Sequence, residues 1–96
     1  MISEIILLGS TGSIGNSTIN VIRKNKSKFR IKLLSTNNNI NKIYKQAVEF
    51  NVKNILIINK KKFNEYKNSF IKKKIKVFFN LNDALKKFKK KKNLLQ

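Results

Sequence analysis

Gly9-Ser10-Thr11-Gly12-Ser13-Ile14-Gly15 follows directly on the apolar run Ile5-Ile6-Leu7-Leu8, so a buried strand is expected to pass through a glycine-spaced turn into a helix. This order builds a phosphate cradle. Gly9 allows a sharp exit from the strand, Gly12 lets backbone N–H groups approach a pyrophosphate, and Gly15 lets the helix pack closely on the strand. Ser10, Thr11 and Ser13 add hydroxyls that can bond phosphate oxygens beside the helix N-terminal amides, and no carboxylate lies near to repel an anion.

The remaining pattern extends this opening into an α/β fold. Apolar periodicity alternates between short continuous runs and helical spacing, as in a parallel sheet with crossover helices. Strands are predicted near residues 4–8, 30–35, 55–58 and 75–79. Helices are predicted over about 14–24 and 40–50, around Phe63, Tyr66 and Phe70, and from about Asp83, capped by Asn82. The inward face of the first helix is read as Ile14, Thr18, Val21 and Ile22. That of the second is read as Ile40, Ile43, Tyr44, Ala47 and Val48. The turn from Thr36 to Asn39 suits Asn, and the tail from Lys89 onward is expected to fray. The expected architecture is a Rossmann-like parallel sheet in β-α-β-α-β-α-β-α order, part of a doubly wound domain.

With 96 residues, 41% of them hydrophobic, the chain can form one domain with a modest core. It has no Cys and no His, which removes thiolate nucleophiles, disulfides, imidazole bases and soft metal sites. Glu4, Glu49, Glu65 and Asp83 are its only acids and fall on different elements, so neither a carboxylate pair nor a hard-cation cage is expected; no catalytic or metal-ligating residue is assigned. No apolar run can span a bilayer, and the opening lacks a signal-peptide pattern, so a cytoplasmic location is the expectation.

The formal charge of +19 resembles a nucleic-acid footprint. However, 21 of the 23 basic residues are Lys, and only Arg23 and Arg30 are of the type suited to specific phosphate recognition. Compositional drift on solvated faces, with Lys runs at 60–62, 72–74 and 89–92, is the first reading. A basic Rossmann-like module binding nucleic acid or another polyanion is the alternative, and a decayed product that does not fold is a third. Nucleic-acid binding would fall steeply with salt, whereas dinucleotide binding would depend on Gly12.

No acid occurs between Glu4 and Glu49, where one would hold an NAD ribose and repel a 2′-phosphate; the default is therefore NADP. The turn after the second strand offers no Arg or Lys for that phosphate, and Lys42 is a candidate substitute.

Residues Leu7 to Arg23, with Phe29-Arg30, Gln46 and Glu49-Phe50, resemble the opening of the 1-deoxy-D-xylulose 5-phosphate reductoisomerase family. The residue-level likeness covers roughly the first fifty positions; from Asn51 onward only the rhythm of strands and helices agrees. The resemblance implies an NADPH-dependent enzyme of isoprenoid biosynthesis that rearranges and reduces its substrate to 2-C-methyl-D-erythritol 4-phosphate. It implies that Thr11, Gly12, Ser13 and Ile14 contact the NADPH phosphates. Asn37, Asn38 and Asn39 occupy positions where the family carries a Gly, a basic residue and an Asn against the adenosine end. It also implies a homodimer, and a divalent metal, Mg or Mn, bound outside this chain, so that residues 1–96 form one cofactor domain that binds NADPH but does not react.

Overall fold

The apolar runs become strands and the periodic segments become helices in the computed structural model, which describes residues 2–93. The order is β1 (Ser3–Leu7), α1 (Ser13–Lys24), β2 (Phe29–Thr36), α2 (Ile40–Glu49), β3 (Asn54–Ile57), α3 (Lys60–Lys72), β4 (Lys76–Phe78) and α4 (Leu81–Asn93), with a short 3-10 turn at Lys26–Lys28. All strand pairs are parallel, and the sheet runs β1-β2-β3-β4. The expected alternation is present, but the strand order advances in one direction only, so among the described residues there is no point at which it reverses.

Right-handed crossovers that each step the same way put their helices on one face. Ile19 and Ile22 of α1, Ile43 and Ala47 of α2 and Phe70 of α3 accordingly share one core cluster with Ile31, Leu34, Ile55, Ile57 and Val77. α4 takes the other face, where Leu81, Ala84 and Phe88 pack on Leu33, Leu56 and Phe78. A bulge at Lys32 places Ile5 opposite Ile31 but Ile6 opposite Leu33, which lets Ile31 and Leu34, three residues apart, enter the same cluster while Leu33 faces the other. Full burial of such side chains stabilises by roughly 1.5–3 kcal/mol each. Among the described residues β1 stands at one edge of the sheet, with Ile2, Ile6 and Leu8 exposed.

Several expectations are corrected. The inward face of α1 is Gly15, Ile19 and Ile22, while Ile14 is 84% exposed and Val21 is also exposed. Gly15 decides this rotation. A Cβ there would lie 2.2 Å from the Gly9 carbonyl oxygen and 2.6 Å from Ser10 Cα, so only glycine can face the turn; Ile19 and Ile22 follow at i+4 and i+7. In α2, Val48 is exposed and Gln46 is buried in its place. Thr36 ends β2 rather than opening the turn, and Ile58 lies past β3. α4 begins two residues early, at Leu81, because Asn80 and not Asn82 caps it. The helical backbone continues through Lys89, where fraying was expected, to Asn93; residues 94–96 and the side chains at 89–93 lie outside what the structure describes.

Of the aromatics expected in the core, Phe70 is buried, with Tyr44 on it at 5.8 Å between ring centroids, while Phe63 and Tyr66 are half-buried against the cluster and Phe63 lies 5.4 Å from the exposed Phe79. At the far end of α1 from the glycine turn, the Arg23 guanidinium binds both carboxylate oxygens of Glu49 and lies 5.8 Å from the centre of the Phe50 ring. Three of the residues that carry the family resemblance therefore meet in space. The hydrogen bond from Arg23 holds the Glu49 carboxyl below its ordinary range.

Candidate functional site

The glycine turn is fixed from β2. Gly9 adopts φ +67°, a left-handed conformation that permits the chain to turn sharply out of β1. Its N–H donates to Ser35 Oγ at 2.7 Å, and the Ser10 N–H donates to the Ser35 carbonyl at 2.9 Å. The Gly12 N–H closes the turn on the Gly9 carbonyl at 3.1 Å. Gly12 is also the N-cap of α1, where it brings no side chain to accept from the helix.

The first bond of α1 runs from the Asn16 N–H to the Gly12 carbonyl at 2.8 Å. The N–H groups of Ser13, Ile14 and Gly15 precede it and meet no acceptor among the described residues. They carry the positive end of the helix dipole, and the first turn contains no acid. Leu7, Leu8, Gly9, Gly12, Ser13, Ile14 and Gly15 line a cleft of about 460 Å³ beside them. Anion binding by backbone amides, next to an apolar wall, is the chemistry this arrangement offers.

Thr11, Gly12, Ser13 and Ile14 are brought together at this mouth. Asn37, Asn38 and Asn39 lie exposed between β2 and α2, and their turn is linked to the mouth by hydroxyls. Thr36 Oγ1 accepts from the Asn39 N–H at 3.1 Å and lies 2.7 Å from Thr11 Oγ1. Asn39 is already engaged in part, because its carboxamide oxygen caps α2 by accepting from the Lys42 N–H at 3.2 Å. The Asn37 carbonyl accepts from the Asn59 N–H at 2.9 Å, which places the start of α3 beside this turn.

Ser10 is a correction. Its side chain is fully buried and its hydroxyl faces Gln46 Oε1 at 2.7 Å, so it is not available to a phosphate. The sequence reading also missed Ser35, Thr36 and Gln46 as supports of the turn. For Gln46 the available signal is spacing, since it stands three residues after the core residue Ile43 and six after Ile40. Its polarity argues against burial until its partners are known.

Parallel strands, crossover helices and a glycine turn opening the first helix define a Rossmann-like nucleotide-binding domain. The family model for 1-deoxy-D-xylulose 5-phosphate reductoisomerase matches residues 5–94. The reductoisomerase of Pelagibacter ubique is 39% identical over 84 residues, covering 88% of this chain and 21% of that protein. That of Wigglesworthia glossinidia brevipalpis is 40% identical over 83 residues, covering 83% and 21%. The solved reductoisomerase of Zymomonas mobilis in complex with NADPH superposes with a TM-score of 0.72 at 26% identity, over 80% of this chain and 20% of that one. A reductoisomerase solved with NADPH, fosmidomycin and magnesium repeats the fold at a TM-score of 0.71.

The chain belongs to the 1-deoxy-D-xylulose 5-phosphate reductoisomerase family. It spans about a fifth of the length of the relatives it matches. The match runs well past Asn51, where only the rhythm of elements was expected to agree. These comparisons give no support to the nucleic-acid alternative.

The metal held by relatives finds no fit here, because the described residues contain no group of three or more His, Cys, Asp or Glu side chains. The dinucleotide fits better, since the uncommitted N–H groups at the start of α1 suit a diphosphate.

Proposed function

We propose that this chain is the NADPH-binding part of a reductoisomerase, and that the observation carrying this reading is the uncapped N-terminus of α1 opening onto the glycine cleft. The N–H groups of Ser13, Ile14 and Gly15 would hold the cofactor's diphosphate, with Thr11 and Ser13 supplying hydroxyls. Gly12 keeps the approach free of side-chain atoms. Asn37, Asn38 and Asn39 would meet the adenosine end, where the absence of any acid from residue 5 to residue 48 favours the 2′-phosphate of NADP over an unmodified ribose.

When bound, NADPH supplies a hydride; the residues of this chain bind and orient it and exclude water on one side. The rearrangement and reduction of the phosphorylated sugar require residues outside positions 1–96, so the 96-residue chain binds cofactor without turnover. The complete protein would work in the cytoplasm, as a homodimer.

Calorimetric titration with NADPH and NADH tests the proposal. Saturable NADPH binding, tighter than NADH and nearly insensitive to salt beyond the ordinary screening of its phosphates, is the expected result. No binding of either nucleotide would overturn the reading, and equal affinities would overturn the preference for NADP.

A further inference from the structure

Gln46 is the polar side chain of α2 that turns into the core, at 5% exposure, and both ends of its carboxamide are spent on one residue of the glycine turn. Its Oε1 accepts the Ser10 hydroxyl at 2.7 Å, and its Nε2 donates to the Ser10 carbonyl at 2.9 Å. Ser10 is held from the other side by β2, through its N–H on the Ser35 carbonyl at 2.9 Å. A fully buried serine is thus gripped at its amide, its hydroxyl and its carbonyl by two different elements.

The bond to the carbonyl has a consequence for the next residue. In a trans peptide the C=O of one residue and the N–H of the next point in opposite directions across one rigid plane. With the Ser10 carbonyl drawn inward to Gln46, the Thr11 N–H must point away from the core, and it meets no acceptor among the described residues. Turning that peptide over would bury the Thr11 N–H against Gln46 Nε2, donor to donor, and would free the carbonyl into the cradle, where it would repel a phosphate.

We infer that Gln46 is a positioning residue for the cofactor: it locks the Ser10–Thr11 peptide in the orientation that presents the Thr11 N–H to the diphosphate. This rests on the NADPH-binding reading above. Gln46 itself does not touch the cofactor and acts through Ser10.

Gln46→Leu removes both bonds while keeping an apolar filler of similar size. Gln46→Glu is the sharper probe. An ionised Glu can still accept the Ser10 hydroxyl, but it sets a second lone-pair oxygen against the Ser10 carbonyl and favours the overturned peptide. A protonated Glu restores the donor, and burial raises a carboxyl's pKa, so the change falls within reach of mild acid. NADP+, which is stable in acid, serves as the probe. Affinity is measured by calorimetry for the unaltered chain and both variants from about pH 8 to about pH 5, with circular dichroism reporting fold.

At pH 8 each folded variant is expected to bind NADP+ about tenfold more weakly than the unaltered chain. The Gln46→Glu deficit should close as pH falls, whereas the Gln46→Leu deficit should persist. Unaltered affinity in folded variants, or a Gln46→Glu deficit that is the same at both ends of the range, would overturn the role of Gln46 while leaving the cofactor reading standing. Failure of the unaltered chain to bind NADP+ overturns that reading and this inference together. A measurement without any variant covers the case of misfolding: by NMR, the Thr11 amide of the unaltered chain should exchange freely with solvent and become protected on adding NADP+. Protection before the cofactor is added would overturn the inference.

Discussion

Among the described residues four turns carry a strand into a helix, and three of them are closed by the same residue type. Asn39 caps α2 through the Lys42 N–H at 3.2 Å, Asn59 caps α3 through the Lys62 N–H at 3.0 Å, and Asn80 caps α4 through the Asp83 N–H at 2.9 Å. At Asn80 the exchange is reciprocal, with its Nδ2 donating to the Asp83 carboxylate at 3.1 Å. The fourth turn enters α1 through Gly12 and has no side-chain cap. The contrast separates two jobs that a strand-to-helix turn can do. An Asn cap spends the opening amides on the protein's own stability, whereas a glycine leaves them for something else. It also shows that at these three positions the chain's many Asn residues have a structural use beyond compositional drift.

The most disruptive way to break this contrast is Gly15→Val, which forces side-chain atoms into the backbone of Gly9 and Ser10. It should destabilise the chain by about 3 kcal/mol in urea unfolding and abolish the open turn while the Asn-capped turns stay as they are. Gly12→Asn tests the contrast itself by giving α1 the cap that the other helices have. Gly12 sits at φ −82° and ψ −179°, open to any residue, and an added Cβ would meet only the Gly9 carbonyl oxygen at 3.6 Å. Stability should therefore change by no more than about 0.5 kcal/mol, while NADPH affinity by calorimetry falls about tenfold. An undiminished affinity would show that the open amides are not the site.

The converse change, Asn80→Ala, should lower stability by about 1 kcal/mol and leave NADPH affinity untouched. The smallest effect is expected at the far end of α1. The hydrogen bond from Arg23 lowers the Glu49 carboxyl from its usual 4.5, so the stabilisation from this ion pair is fully present above about that pH and is lost as pH falls through the depressed value. Arg23→Ala should flatten this acid limb in thermal unfolding followed against pH, with cofactor affinity at neutral pH unchanged.

The sequence made the alternation of elements legible because short continuous apolar runs and period-3.6 patterns are both local. It also exposed the glycine turn, since Gly9 and Gly15 answer to backbone constraints that no other residue meets as well. The rotation of α1 was not legible from apolar residues alone. Ile14 and Val21 look like core, yet the backbone of the turn admits only Gly15, and that contact between residues 9 and 15 overrides them. Gln46 displaced Val48 from the inward face of α2 for a related reason: a polar side chain is inexpensive to bury when both of its ends find partners, and those partners lie thirty-six residues away at Ser10. The bulge at Lys32 left no sign in composition or spacing, because it reflects the fit of β2 to β1. The glycine spacing put Thr11, Gly12, Ser13 and Ile14 at the opening of α1, where the structure has them, whereas the inward aim of Ser10 was not legible, because hydroxyl chemistry says nothing about direction.

Among the described residues no strand pairs with the outer margin of β1, and this margin, with Ile2, Ile6 and Leu8 beside it, governs how the molecule behaves in a crowd of its own kind. Strand margins of this sort adhere to one another, and here the adhesion is opposed by a formal charge of +19 on every copy. Added electrolyte shortens the reach of that repulsion to about 10 Å at 0.1 M, so the chain should pass from a dispersed to a clotting colloid as ionic strength rises.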